Sequence, residues 1–168
     1  KAVKHADGKR WWILAAGYNS PIYYTILFDE GKIEGPFEQI VEDTFKNPNW
    51  SGQSVFSPDG SMYAHFDPWT GLILYQFDRT NGKLTTLDKL DFWYDPLTDY
   101  YRGGISFSPN NKRLYVSTNK ELYQFNLEAG SLAQNRVFLD SLDRFVSPFL
   151  ITFIAHELGP DGRIYISS

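Results

Sequence analysis

A short turn motif recurs along the chain at a nearly constant interval. Its fullest form is Phe56-Ser57-Pro58-Asp59-Gly60, and variants stand at Ala6-Asp7-Gly8, Ser108-Pro109-Asn110-Asn111 and Gly159-Pro160-Asp161-Gly162. Pro presets φ at the first turn position, Asp or Asn bonds its own backbone, and Gly accepts φ > 0. Asn111 takes the place of Gly in the third copy, and Asn is the residue that next best tolerates the left-handed region. Measured from the Asp or Asn, successive copies lie 52, 51 and 51 residues apart. A period that regular marks a repeat architecture, and it constrains the fold far more than the activity.

Four short strands fit into each repeat. The first repeat gives Ala2–His5, Arg10–Ala16, Ile22–Phe28 and Pro36–Val41; the second gives Gln53–Phe56, Met62–Phe66, Leu72–Phe77 and Leu84–Leu87. The third gives Ile105–Phe107, Leu114–Ser117, Leu122–Asn126 and Arg136–Leu139, while the fourth has only Ile151–His156 and Arg163–Ser167. Turn signals at Asp29-Glu30-Gly31, Thr80-Asn81-Gly82 and Glu128-Ala129-Gly130 separate third from fourth strands. Aromatics make up 17% of the residues and, with β-branched residues, dominate the apolar runs, which favours strands over helices.

The second strands decide how the repeats pack. Trp11-Trp12-Ile13-Leu14-Ala15-Ala16 and Met62-Tyr63-Ala64-His65-Phe66 are apolar on both faces, whereas a sheet covered on one side needs only one apolar face. Sheets covered on both sides by copies of themselves are the blades of a β-propeller. The expected fold is therefore all-β, a partial propeller of about three and a half four-stranded antiparallel blades. Its expected spans are 1–44, 51–90, 103–140 and a half blade at 150–168. Propellers close with about four to eight blades. The open ends thus call for the rest of a propeller, or a second copy, to cover them. The chain starts at Lys1 without Met or a signal sequence, so a processed product or an excised piece is expected.

Composition narrows the partners. The net charge is −4 without any run of like charges, which argues against nucleic acid and anionic membranes. No cysteine is present, so disulfides, thiolate nucleophiles and cysteine metal sites are excluded. No apolar run approaches the length of a membrane span.

Phe-Ser-Pro-Asp-Gly, a strand, a short loop, a strand carrying Tyr75-Gln76-Phe77-Asp78 and a Gly turn together resemble the WD40-like repeat of TolB-type propellers. The literal echo of Leu74-Tyr75-Gln76-Phe77 in Leu122-Tyr123-Gln124-Phe125 belongs to the same pattern. A kelch repeat would carry a recurring Gly pair, and Gly103-Gly104 is the only one. The wording around Trp11-Trp12-Ile13-Leu14 and from Ala155 to Ile166 is also similar to propeller segments of large secreted bacterial surface proteins. The propeller resemblance places ligands on the face formed by the loops between second and third strands and between blades. The Pro-Asp-Gly turns (Asp7, Gly8, Pro58, Asp59, Gly60, Pro109, Asn110, Asn111, Pro160, Asp161 and Gly162) form the opposite, structural face.

The most unusual loop on the ligand face contains Phe92, Trp93, Tyr94, Asp95, Asp99, Tyr100 and Tyr101, with Trp69 in the neighbouring loop. Aromatic rings stack on sugars or apolar partner groups, and Asp accepts hydroxyl hydrogen bonds. The bland alternative has Phe92, Trp93 and Tyr94 fold back over the core between blades two and three, and the general burial of large aromatics weighs toward it. His65 falls in an apolar second strand. His156 falls in an innermost strand, with Glu157 beside it but directed to the opposite face. No nucleophile elbow, phosphate loop, dinucleotide fingerprint or calcium loop is present, so no catalytic residue, metal or cofactor is assigned.

The leading expectation is a non-enzymatic binding or scaffold propeller of a larger bacterial extracellular or cell-surface protein, recognising protein or carbohydrate. One alternative is a lactonase-like propeller hydrolase with a channel-mouth site. That reading requires convergent polar groups on first strands that offer mainly Ala2, Val3, Val55, Phe56, Ile105 and Phe107. Another alternative is a purely structural spacer.

Overall fold

The structure is a computed structural model that describes residues 1–17, 20–41, 52–68, 70–91, 102–142 and 151–167. Three four-stranded antiparallel sheets follow one another in chain order, then a two-stranded one. The first contains β1 (Ala2–Lys4), β2 (Trp11–Ala16), β3 (Ile22–Asp29) and β4 (Lys32–Ile40). The second contains β5 (Gln53–Phe56), β6 (Met62–Asp67), β7 (Gly71–Asp78) and β8 (Lys83–Leu90). The third contains β9 (Gly104–Phe107), β10 (Arg113–Ser117), β11 (Glu121–Asn126) and β12 (Arg136–Ser141). Two strands, β13 (His156–Leu158) and β14 (Ile164–Ile166), make the fourth. This is a partial β-propeller, as the repeat predicts.

In each sheet the same turn joins the first strand to the second, closed the same way. Gly8, Gly60, Asn111 and Gly162 donate their N–H to the carbonyls of His5, Ser57, Ser108 and Gly159, three residues back. These four turn residues have φ of 74°, 75°, 61° and 77°. The acidic or amide side chain then accepts the N–H two residues on: Lys9 to Asp7, Ser61 to Asp59, Lys112 to Asn110 and Arg163 to Asp161, at 2.9–3.2 Å. In blades two and three the preceding serine adds a brace. Ser57 and Ser108 accept the N–H of Met62 and Arg113, where the second strand starts.

The blades pack face to face through two apolar layers. Trp12, Leu14, Tyr23 and Leu27 of the first blade meet Tyr63, Ile73, Tyr75 and Phe77 of the second. On the other side of the second blade, Ala64, Phe66, Leu72 and Leu74 meet Ile105, Phe107, Leu114, Val116 and Phe125 of the third. Odd and even positions of β7 thus enter different cores, which is why that strand shows no polar alternation. Each such side chain contributes about 1.5–3 kcal/mol on full burial. The two buried hydroxyls of Tyr23 and Tyr75 satisfy each other at 3.2 Å.

The outer strand of each of the three four-stranded blades carries a bulge. Gly35 and Pro36 together oppose Ile26, and Leu87 and Leu139 are the extra residues of β8 and β12. The fourth sheet departs from expectation. Residues 151–155 form no strand although their composition suits one. Ile154 and Ala155 both address the single residue Ser167, which ends the ladder, and Phe153 turns its N–H to the Asn119 carbonyl of blade three. The first strand therefore starts at His156, not Ile151.

A guanidinium fastens the first two blades on the turn face. Arg79 donates to the carbonyls of Lys4 at 2.8 Å, His5 at 3.1 Å and Asp59 at 2.9 Å. Its own carbonyl accepts from Ala6 N–H and from the indole of Trp12. Replacing Arg79 by Ala is expected to cost roughly 1–3 kcal/mol, read as a lower urea midpoint, with Lys restoring only part because one ammonium cannot span three carbonyls. An unchanged midpoint in the Ala variant would remove this role.

Candidate functional site

The first strands of all four sheets, β1, β5, β9 and β13, stand side by side and wall a groove along the inner edge of the arc. Toward the turn face it opens into a cavity of about 650 Å³ reached by Ala2, Val55, Ser106 and Glu157. Toward the loop face a second cavity of about 830 Å³ is lined by Gln53, Arg102, His156, Glu157 and Tyr165. Arg102 and Glu157 are exposed there, and neither forms an ion pair among the described residues.

Gln53 holds the inner strands together. Its Oε1 accepts the N–H of Ile105 at 3.1 Å and of His156 at 2.9 Å, and its Nε2 donates to the His156 carbonyl at 2.6 Å. One side-chain amide thus substitutes for a strand partner to both following blades. The Gly103-Gly104 pair makes this approach possible. A Cβ on Gly103 would lie 2.3 Å from the Ser117 carbonyl, and one on Gly104 would lie 2.6 Å from the His156 ring. Glycine is required at both positions by close packing rather than by a turn.

His156 and Ser117 meet across the joint between blades three and four. Ser117 Oγ lies 2.8 Å from His156 Nε2 and accepts the Gly104 N–H at 3.2 Å. Their spacing suits a nucleophile and its base, but Ser117 is fully buried and His156 is 1% exposed. Among the described residues no hydrogen-bond partner reaches His156 Nδ1, the place of the third member that orients a catalytic histidine. The pair is an inter-blade clasp. Glu157 points to the opposite face of β13, as alternation along a strand requires.

The other two histidines are also held by their surroundings. His65 Nδ1 bonds Ser54 Oγ at 2.7 Å, and His5 Nε2 lies 3.1 Å from the Thr80 carbonyl of the second blade. Among the described residues, no group of three His, Asp or Glu side chains has the geometry of a metal site. The aromatic and acidic candidates Trp69, Phe92, Trp93, Tyr94, Asp95, Asp99, Tyr100 and Tyr101 lie outside the described residues. Sequence reasoning passed over Gln53, Arg102 and Ser117. The available signal was a polar residue at the end of an otherwise apolar inner strand.

Burial pushes both His65 and His156 down to about 4, from an ordinary value of 6.5. The folded chain therefore binds fewer protons than the unfolded chain between those values. Stability is full above about pH 6.5 and falls as pH drops toward 4, by on the order of 1–3 kcal/mol per histidine. Melting temperatures recorded from pH 7.5 to 4.5 should show this slope, shallower in His65→Gln and His156→Asn. The same slope in both variants would contradict it.

No protein-family model and no curated protein sequence matches the chain. Solved structures do match. A putative 6-phosphogluconolactonase from Bacteroides fragilis aligns with 100% of this chain and 41% of its own length, at 14% identity and a TM-score of 0.54. The periplasmic gluconolactonase of Pseudomonas aeruginosa aligns with 98% of this chain and 45% of its own length, at 17% identity and a TM-score of 0.57. The Cps50 (Swd1) β-propeller domain of Myceliophteria thermophila aligns with 92% of this chain and 42% of its own length, at 13% identity and a TM-score of 0.54. The chain thus spans less than half the length of these structures, and what it shares with them is the β-propeller fold.

Proposed function

We propose that the chain contributes to a β-propeller that takes a small polar ligand at the loop-face mouth of its central channel, with lactone hydrolysis as its chemistry. The observation that carries this reading is the recurrence of lactonase propellers among the structural neighbours, two of which match 98% or more of the chain here. The loop-face end of the groove along the inner strands holds an exposed guanidinium, Arg102, and an exposed carboxylate, Glu157. In lactone opening, a carboxylate takes a proton from the water that attacks the carbonyl carbon, a guanidinium stabilises the charge that builds on the carbonyl oxygen, and as the ring C–O bond breaks the carboxylic acid returns that proton to the departing alkoxide oxygen. Glu157 and Arg102 are assigned those roles.

The test is hydrolysis of aldonolactones by the full-length protein, followed by pH-stat against the uncatalysed rate in the same buffer. Glu157→Gln and Arg102→Ala are each expected to lower kcat/KM by about 100-fold with unchanged melting temperature. A rate no greater than that of buffer sinks the hydrolase reading.

A second reading is a recognition scaffold of an extracellular or cell-surface bacterial protein that binds protein or carbohydrate. It is favoured by the sealed Ser117–His156 pair and by Gln53, whose amide is engaged in holding strands. Under this reading Trp69→Ala, Trp93→Ala and Tyr94→Ala each weaken glycan or surface binding while leaving the melting temperature unchanged. Unaltered binding, or a loss of stability alone, rejects it.

A further inference from the structure

The face of the first blade turned away from the second is largely apolar, with Lys4 over Trp11 and Glu38 beside Tyr24 as its charged groups among the described residues. Trp11 and Ile13 of β2 are each 40% exposed, Phe28 of β3 is 38% exposed, and Ile33 and Ile40 of β4 are above 70%. The molecule contains its own control for these positions. Val3 pairs with Trp12 as Val55 pairs with Ala64, which places the cross-strand pair Trp11 and Phe28 in the register of Tyr63 and Tyr75. In the second blade those residues are 3% and 0% exposed, because the first blade covers them. The sequence supplies the same kind of side chain at both places, and only the cover differs.

What covers the face can be read from its neighbours. Tyr63, Ile73 and Tyr75 are met by Trp12, Leu14 and Leu27, the opposite face of a preceding blade. Among the described residues, the other end of the chain offers a second copy a more polar surface, in which Tyr115 and Leu122 are mixed with polar groups. There, β13 and β14 turn Glu157 and Tyr165 outward, and the blade-three face beneath them carries Ser117 and Gln124. Seating Glu157 over Trp11 and Ile13 would take its carboxylate out of water beside the Lys4 ammonium, which lies 5.6 Å from the Trp11 ring centre, a less favourable burial than that of an aliphatic or aromatic side chain. Each matched structure is also more than twice as long as this chain.

We propose that Trp11, Ile13, Ile26, Phe28 and Ile33 form the seat of a further four-stranded blade of the same protein, one whose facing strands carry large aliphatic and aromatic side chains. The seat matches an apolar sheet more closely than it matches the outward face of the described half blade, which carries Glu157.

Hydroxyl-radical footprinting of the full-length protein tests this. Trp11 and Phe28 should be oxidised at least about tenfold more slowly than in the urea-unfolded chain, and as slowly as Tyr63 and Tyr75. Oxidation near the unfolded rate overturns the proposal. Protection lost on dilution, together with a halving of the mass by light scattering, assigns the face to a second copy and also overturns it. Ile13→Asp is expected to lower the melting temperature by roughly 5 °C or more, independently of protein concentration. Unchanged or increased stability in that variant speaks for an open face.

Discussion

A sheet that is apolar on both sides cannot stand alone in water, and this constraint governs the whole molecule. β7 shows it most directly, with Leu72 and Leu74 committed to one core and Ile73, Tyr75 and Phe77 to the other. Neither core exists until a neighbouring blade arrives, so no blade is a folding unit in the thermodynamic sense. The polar connections follow the same logic. Arg79 fastens blades on the turn face and Gln53 fastens them at the inner edge, each bonding backbone groups that the apolar layers bring close but leave unpaired. Hydrophobic packing chooses the arrangement, and these few charged and amide groups fix its register.

Much of this was legible before any coordinates, because its causes are local. The turn at Ser57-Pro58-Asp59-Gly60 is specified by a Pro, an Asp and a Gly within four residues, and so are its copies. The two-faced character of β6 and β7 could be read from runs without polar alternation. Other features depend on distant partners and left no local trace. Gln53 looks like an ordinary polar residue until Ile105 and His156 are placed beside it, 52 and 103 residues away. Ile151 to Ala155 has the composition of a strand, yet Ser167 and the Asn119 carbonyl take its hydrogen bonds elsewhere.

The functional reading shifts for a related reason. Attention to unusual composition led to the aromatic loop, whereas the described geometry draws attention to the inner edge, where ordinary residues converge. Arg102 drew no notice in the sequence and Glu157 drew it only as the neighbour of His156; what gives them interest together is a shared groove wall. The histidines make the converse point. His156 sits beside a serine at catalytic spacing, but burial and, among the described residues, an empty Nδ1 side make it part of a joint. Proximity to a channel is therefore a weaker criterion than access to it.

The recurrent bulge in the outer strands bears on how such a molecule avoids misassembly. An unbroken outer strand would offer a straight row of free N–H and C=O groups to any passing chain. Gly35-Pro36, Leu87 and Leu139 interrupt that row in three successive blades, and Pro36 removes one donor outright. With lateral strand addition obstructed at the rim, the apolar faces remain the productive surfaces for growth. Assembly then has a single axis and a direction around it, which is the geometry that bends into a ring instead of extending into a fibre.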